Sequence, residues 1–405
     1  MTATWRTVRL AELLNDNVAG PVPTPREELV RLAGVRLHGG GVYEARVVPG
    51  AEIKTKTLTP VQPGALIYNR MWATRGTFAV VPDSAAGMYV TNEYPQFRID
   101  KEAVEPRYLE LLTQLPAFLD QVDAAAVGST DRRRLHPDAL LDMEVDLPPL
   151  DEQRRIVEAV AAAEQAVAAH ERYASAAFTA LRAAREALLF TEGDWEDLPP
   201  GWELRRLDEV ADIRAGITKG RKVQRPLTEV PFIRAANVQD GFLDLSEVKT
   251  LAVTAAERER FRVQADDILM IEGGNAEHVG RGWLWEGQEE AVCQNHVFRV
   301  RVTTGAVIPR FLAYAIGASP ARAYCYDAAK KTTNLASISK SQISELAVPV
   351  PPVSVQADVV RKLDALRRVG VAELRHARRL TRFRAALIEE LVSGARPAPA
   401  VGVLR

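Results

Sequence analysis

Two sets of polar and basic loops hold the side chains best suited to chemistry. In the first half they are Lys54 and Lys56, then Asn69, Arg70 and Arg75 around Trp72, then Thr130, Arg132 and Arg133. In the second half they are Lys219, Arg221 and Lys222, then Arg234 with Asn237, then Asn275, His278 and Arg281 after Gly273-Gly274, then Lys330, Lys331 and Asn334. Arginine and lysine take phosphates or guanine edges, asparagine reads adenine, and glycine lets a backbone approach closely. The set fits contact with double-stranded DNA. Each cluster alone also reads as solvated surface, and it is the matching placement in both halves that favours binding. Tyr68, Trp72, Trp283 and Trp285 either stack on bases or pack a core. Gln294-Asn295 either reaches DNA or makes a turn bond.

Catalytic constellations are missing from the pattern. Gly216-Ile-Thr-Lys-Gly220-Arg-Lys has the wrong spacing for a phosphate-binding loop, and no G-x-G-x-x-G motif is present. The six histidines are scattered, and Cys293-Gln-Asn-His296 offers at most two ligands where zinc takes three or four. No Ser sits in G-x-S-x-G. No catalytic residue, metal or cofactor is therefore expected in this chain. Lys and Arg total 52 against 53 Asp and Glu, so any DNA contact must come from local patches. Two cysteines suit a reducing cytoplasm, and neither a signal core nor a membrane-spanning run is visible.

These loops need positioning elements, and the chain supplies them twice. Trp5-Arg-Thr-Val-Arg-Leu10 is echoed by Trp202-Glu-Leu-Arg-Arg-Leu207, Pro106-Arg-Tyr-Leu109 by Pro309-Arg-Phe-Leu312, and Leu147-Pro-Pro-Leu150 by Val350-Pro-Pro-Val353. Gln153 and Gln356 keep the same offset. Ordered matches at a nearly constant shift mean two copies of a unit of about 200 residues.

Each copy begins with short β-branched runs such as Leu66–Asn69, Thr77–Val81, Ile268–Ile271 and Val297–Val302. After Pro-Pro the apolar period changes from strand to helix. Ile156, Val160, Ala163, Val167, Leu181 and Leu188 form one ridge, on a helix of about 40 residues and about 60 Å. Val359, Leu363, Leu366, Leu380, Phe383, Leu387 and Leu391 form the second, with Gly370 loosening its middle. The two ridges read as an antiparallel pair, with His170 and His376 at its interface; alternatively each helix only caps its own domain. The expected class is α+β: two mixed α/β domains joined by two long helices in an antiparallel coiled coil, with a pseudo-twofold internal repeat. The expected bounds are 1–150, a helix over 151–192, 193–353, a helix over 354–394, and a flexible tail over 395–405.

The run Leu147-Pro-Pro-Leu-Asp-Glu-Gln153-Arg-Arg-Ile156 resembles the hinge-to-helix signature of the DNA specificity subunits of type I restriction-modification systems. So do Gly201-Trp202-Glu-Leu-Arg-Arg-Leu207, Asp266-Asp-Ile268-Leu, Gly280-Arg281-Gly and Gln294-Asn295-His296. The resemblance implies a non-catalytic subunit. Its two target recognition domains would each read half of a split DNA site, and the helices would set the gap. It implies two methyltransferase subunits as partners, carrying S-adenosylmethionine, and restriction subunits in the full complex. Two other readings stay open: a coiled-coil adaptor without a DNA role, and a recognition subunit of another methylation-based defence system.

Overall fold

A computed structural model describes residues 5–15, 18, 20–128, 133–189, 198–221, 226–287, 289–333 and 335–396. The chain divides into two compact units, Met1–Ala169 with Ala377–Arg405, and His170–His376. Each unit therefore owns one globular body and half of each long helix.

In the first unit Arg6–Arg9 pairs antiparallel with Glu144–Leu147, clasping the start of the body to its end. A four-stranded sheet runs in the order Leu14–Asn15, Gln96–Ile99, Leu66–Tyr68, Phe78–Val80. A five-stranded sheet centred on Tyr89–Val90 and Leu29–Val35 lies in the same body. Helices Pro106–Leu112, Pro116–Ala125 and Pro137–Leu141 follow, each opened by a proline whose missing N–H is no loss at a helix start. Leu66, Tyr68, Phe78, Tyr108 and Phe118 form the centre of the core.

The second unit repeats this plan. Glu203–Arg206 pairs with Ala347–Val350. A four-stranded sheet runs Ala211–Ala215, Val297–Val302, Ile268–Ile271, Gly282–Leu284. Helices Pro309–Gly317, Ser319–Ala328 and Lys340–Ser344 follow at the same offset as those of the first unit. The expectation of strand-like copies thus missed these matching helices, and Leu207–Val210 and Ala255–Phe261 in the second copy, although the prolines at 106, 116, 137 and 309 were start signals.

The long helices run Leu150–Leu189 and Val353–Val392. In the first unit Ile156, Ala159 and Val160 pack with Ile388, Leu391 and Val392, while Arg384 Nε donates to Glu164 (2.8 Å). In the second unit Leu181 and Leu189 pack with Val359 and Leu363. The contacts run in opposite chain directions within each unit, so the pairing is antiparallel. Leu188, Leu366 and Leu387 are partly buried beside these clusters, and Val167 and Leu380 are half-buried. Two details correct the ridge. Phe383 is 56% exposed and faces outward. Gly370 does not loosen its helix: a Cβ there would stand 2.9 Å from the Phe178 ring, so glycine permits close approach.

At each joint a glutamine is buried. Gln153 accepts from the Glu105 N–H (2.8 Å) and donates to the Pro148 carbonyl (2.7 Å). Gln356 accepts from the Ile308 N–H (2.8 Å) and donates to the Pro351 and Ala306 carbonyls (both 2.7 Å). The first proline's carbonyl at each joint is satisfied this way, while the second, Pro149 or Pro352, accepts from the first N–H groups of the helix.

Candidate nucleic-acid interface

The structure sorts the basic and polar loops into groups that are free and groups already engaged. In the first unit Lys54 and Lys56 are exposed on a loop that Arg26 pins through the Thr55 carbonyl (3.1 Å). Arg75 is exposed and lies 5.8 Å from the Trp72 ring, itself at the surface. Asn69 is buried, accepting from the Met71 N–H (3.0 Å) to shape its turn. Arg133 caps the helix Pro116–Ala125 through the Ala126 carbonyl (3.0 Å) and Asp123 (2.7 Å). A basic residue suits that helix end, where carbonyls lack partners. Arg70 meets His136 (3.1 Å), and Arg134 meets Glu93 (3.0 Å). Thr130 and Arg132 lie outside the described residues.

In the second unit Lys219 is exposed. Arg221 is held by both Glu257 carboxylate oxygens (2.5 and 2.9 Å), and that hydrogen-bonded guanidinium pulls the Glu257 carboxyl down to about 2. Arg234 pairs with Glu247 (3.2 Å). Asn237 is buried and donates to the Asp244 (2.8 Å) and Glu247 (2.9 Å) carbonyls, which leaves no amide hydrogen for a base. Lys222 and Asn334 lie outside the described residues. Tyr68, Trp283 and Trp285 are all core residues, with Trp283 packed edge-on to Tyr314.

Two groupings emerge in this unit. Asn275 accepts from the Glu277 N–H (3.1 Å) and opens the turn that carries His278. Behind it Arg322 donates to the Val279 carbonyl (2.5 Å) and bonds the Glu277 carbonyl. Arg281 Nε is buried without a hydrogen-bond partner. Burial, then the neighbouring Arg322, lowers the Arg281 pKa; burial, then Arg281 and Arg322, lowers that of His278. Cations crowded this way gain from an anion. The second grouping is a three-stranded ribbon, Gly273–Gly274 with Ala336–Ser337 and Lys330–Lys331. Lys330 is exposed, and Lys331 Nζ sits 3.5 Å over the Tyr326 ring. Sequence reasoning missed the Glu272–His296 pair (2.7 Å) beside this ribbon; the doubled glycine was the one local hint. Among the described residues no cluster could hold a metal ion, and no helix is long and apolar enough to cross a membrane.

The architecture is thus a repeated α+β body on paired long helices, with basic loops free in each copy. Residues 199–378 match the family described as the type I restriction modification DNA specificity domain. The chain is also similar to specificity subunits of type I restriction enzymes. It is 23% identical over 278 residues to the StySPI specificity subunit of Salmonella potsdam, covering 65% of this chain and 58% of that one. It is 28% identical over 139 residues to the EcoKI specificity subunit of Escherichia coli K12, covering 34% and 30%. The matches thus span less than two thirds of these relatives' own lengths. In fold it is similar to a chain from the structural study of complex assembly and conformational transition of the type I R-M system, at 20% identity, TM-score 0.54, and 97% and 98% coverage. It is also similar to the type I restriction-modification S subunit from M. genitalium, at 12% identity, TM-score 0.51, and 96% of each chain.

Proposed function

We propose that this chain is the DNA specificity subunit of a type I restriction-modification complex. Each body reads one half of a bipartite duplex site, and the long helices fix the gap. The chain contributes no catalytic group. It scaffolds two methyltransferase subunits, which carry S-adenosylmethionine, and restriction subunits join in the full assembly. The observation that carries this reading is the duplication at the joints: Gln153 and Gln356 make the same bonds 203 residues apart, each between a long helix and one body. Half-sites read from one face of B-DNA lie about 34–36 Å apart, and a helix of about 60 Å can hold two readers at such a distance, which a flexible linker cannot. Lys54, Lys56, Arg75, Lys219, Asn275, His278, Arg281, Lys330 and Lys331 are the contacts we assign; Asn69, Asn237, Arg133, Arg221 and Arg234 serve their own loops.

The test is an exchange of residues 1–147 for another recognition domain, followed by genome-wide mapping of methylated adenines. One half of the methylated motif should change while the other half and the gap persist. A change in both halves, or in neither, would refute the modular reading. An adaptor without a DNA role predicts no motif at all.

A further inference from the structure

We propose that His296, held by Glu272 at the edge of the Gly273–Gly274 strand, is a specificity-determining residue that reads a base edge in one half-site. This deepens the DNA-reading function proposed above and rests on it.

The argument comes from comparing the two copies with each other. Around this place their frames agree. Strand Leu66–Tyr68 corresponds to Ile268–Ile271, and the turn Ala73–Arg75 to Ala276–His278. The bridge Val127 to Arg134 corresponds to Lys330 opposite Ser337. The side chains on that frame do not agree. In the first copy the space is taken by long groups: Arg134 reaches both Glu93 (3.0 Å) and Met71 Sδ (3.8 Å), and Arg70 reaches His136 (3.1 Å). Arg134 becomes Ser337 and Glu93 becomes His296, while Arg70, whose N–H meets the Glu93 carbonyl and whose carbonyl meets the Leu135 N–H, corresponds to Glu272, which makes the same two bonds with His296 and Ile338. Where the first copy has the long Arg134 the second has Ser337, and a groove of about 410 Å³ opens, lined by Glu272, Gly273, Gly274, His296 and Lys330 among others. Two readers sharing one frame must differ where they touch different bases, and here the difference is concentrated.

The groove's chemistry suits a base edge. Glu272 Oε2 lies 2.7 Å from His296 Nδ1, which fixes the imidazole plane and the proton on Nδ1. In the neutral ring the other nitrogen, Nε2, is then an acceptor, with only a long 3.4 Å approach from Asn295 Nδ2. An acceptor of this kind matches the exocyclic amino group of adenine or cytosine in the major groove. The His296 side chain is 54% exposed, so it is presented and not packed. A Cβ on Gly273 would meet the Ala336 carbonyl at 3.1 Å, whereas Gly274, at φ +142°, faces open space where another backbone can approach. Lys330 at the groove and Lys331 on Tyr326 supply positive charge for the flanking phosphates.

Methylated-base mapping in cells expressing the chain with its methyltransferase partner would compare wild type with His296→Ala and Glu272→Gln. We expect His296→Ala to make one position in one half of the motif degenerate, with discrimination falling about tenfold or more, while the other half stays fixed. Glu272→Gln, which keeps the shape but weakens the grip on the ring, should relax the same position less. An unchanged motif in His296→Ala overturns the assignment, as does a uniform loss of methylation across all sites, which would mark a phosphate or folding role. A wild-type chain that imposes no motif overturns the DNA-reading function itself, and this assignment with it.

Discussion

His170 Nδ1 lies 2.5 Å from a carboxylate oxygen of Glu373, and the two residues are 203 positions apart, the repeat shift itself. A residue of one copy therefore meets its own counterpart in the other. His376 completes the group, its ring 5.3 Å from that of His170 and nearly perpendicular. Positions related in this way should be exchangeable. His170→Ala and Glu373→Ala should each cost about 1 kcal/mol of stability, whereas the exchanged pair, His170→Glu with Glu373→His, should return close to wild type. Thermal unfolding of the four proteins checks this.

The buried glutamines make a sharper prediction. Gln153→Ala leaves a buried N–H and a buried carbonyl unpaired and should destabilise the first unit by about 2–4 kcal/mol. Gln356→Ala should do the same to the second unit. Hydrogen exchange read by mass spectrometry should show protection lost in one unit for each variant.

Gly370 sits mid-helix, where alanine would ordinarily gain about 1 kcal/mol. Its neighbour Phe178, stacked on Phe242 with centroids 5.0 Å apart, reverses that sign. Gly370→Ala should be destabilising, by about 1–3 kcal/mol, and Phe178→Leu should relieve part of the loss. Denaturant midpoints of the single and double variants decide it.

Cys293 and Cys325 are buried, and burial pushes both thiols up to about 12. A thiol with a raised pKa stays protonated and unreactive below it. Neither should be alkylated by iodoacetamide at pH 8 in the native protein, and both should react in denaturant. Mass spectrometry before and after unfolding gives the answer.

Lys330→Ala should weaken binding to cognate and unrelated duplex alike, and lower the slope of log affinity against log salt by about 1. Fluorescence anisotropy titrations at several salt concentrations measure that slope.

The elements of longest period were legible in the sequence. A ridge repeating over 40 residues without proline reads as one long helix, expected over 151–192 and 354–394, and the described helices run Leu150–Leu189 and Val353–Val392. What could not be read was where polar side chains spend their hydrogen bonds. Asn237 and Asn275 look alike in sequence, yet one is buried in its turn and the other stands at the surface. Arg221 and Arg281 are the same residue type, but the first is bonded to Glu257 across the fold whereas Nε of the second is buried without a hydrogen-bond partner. The groove beside His296 joins residues up to 65 positions apart, and no local pattern announces it.

The grip of Gln153 and Gln356 falls on peptide groups, never on another residue's side chain. Such a latch is indifferent to the identity of what it fastens. On the DNA-reading function proposed above, a foreign body could be grafted upstream of either joint without a matching change in the hinge.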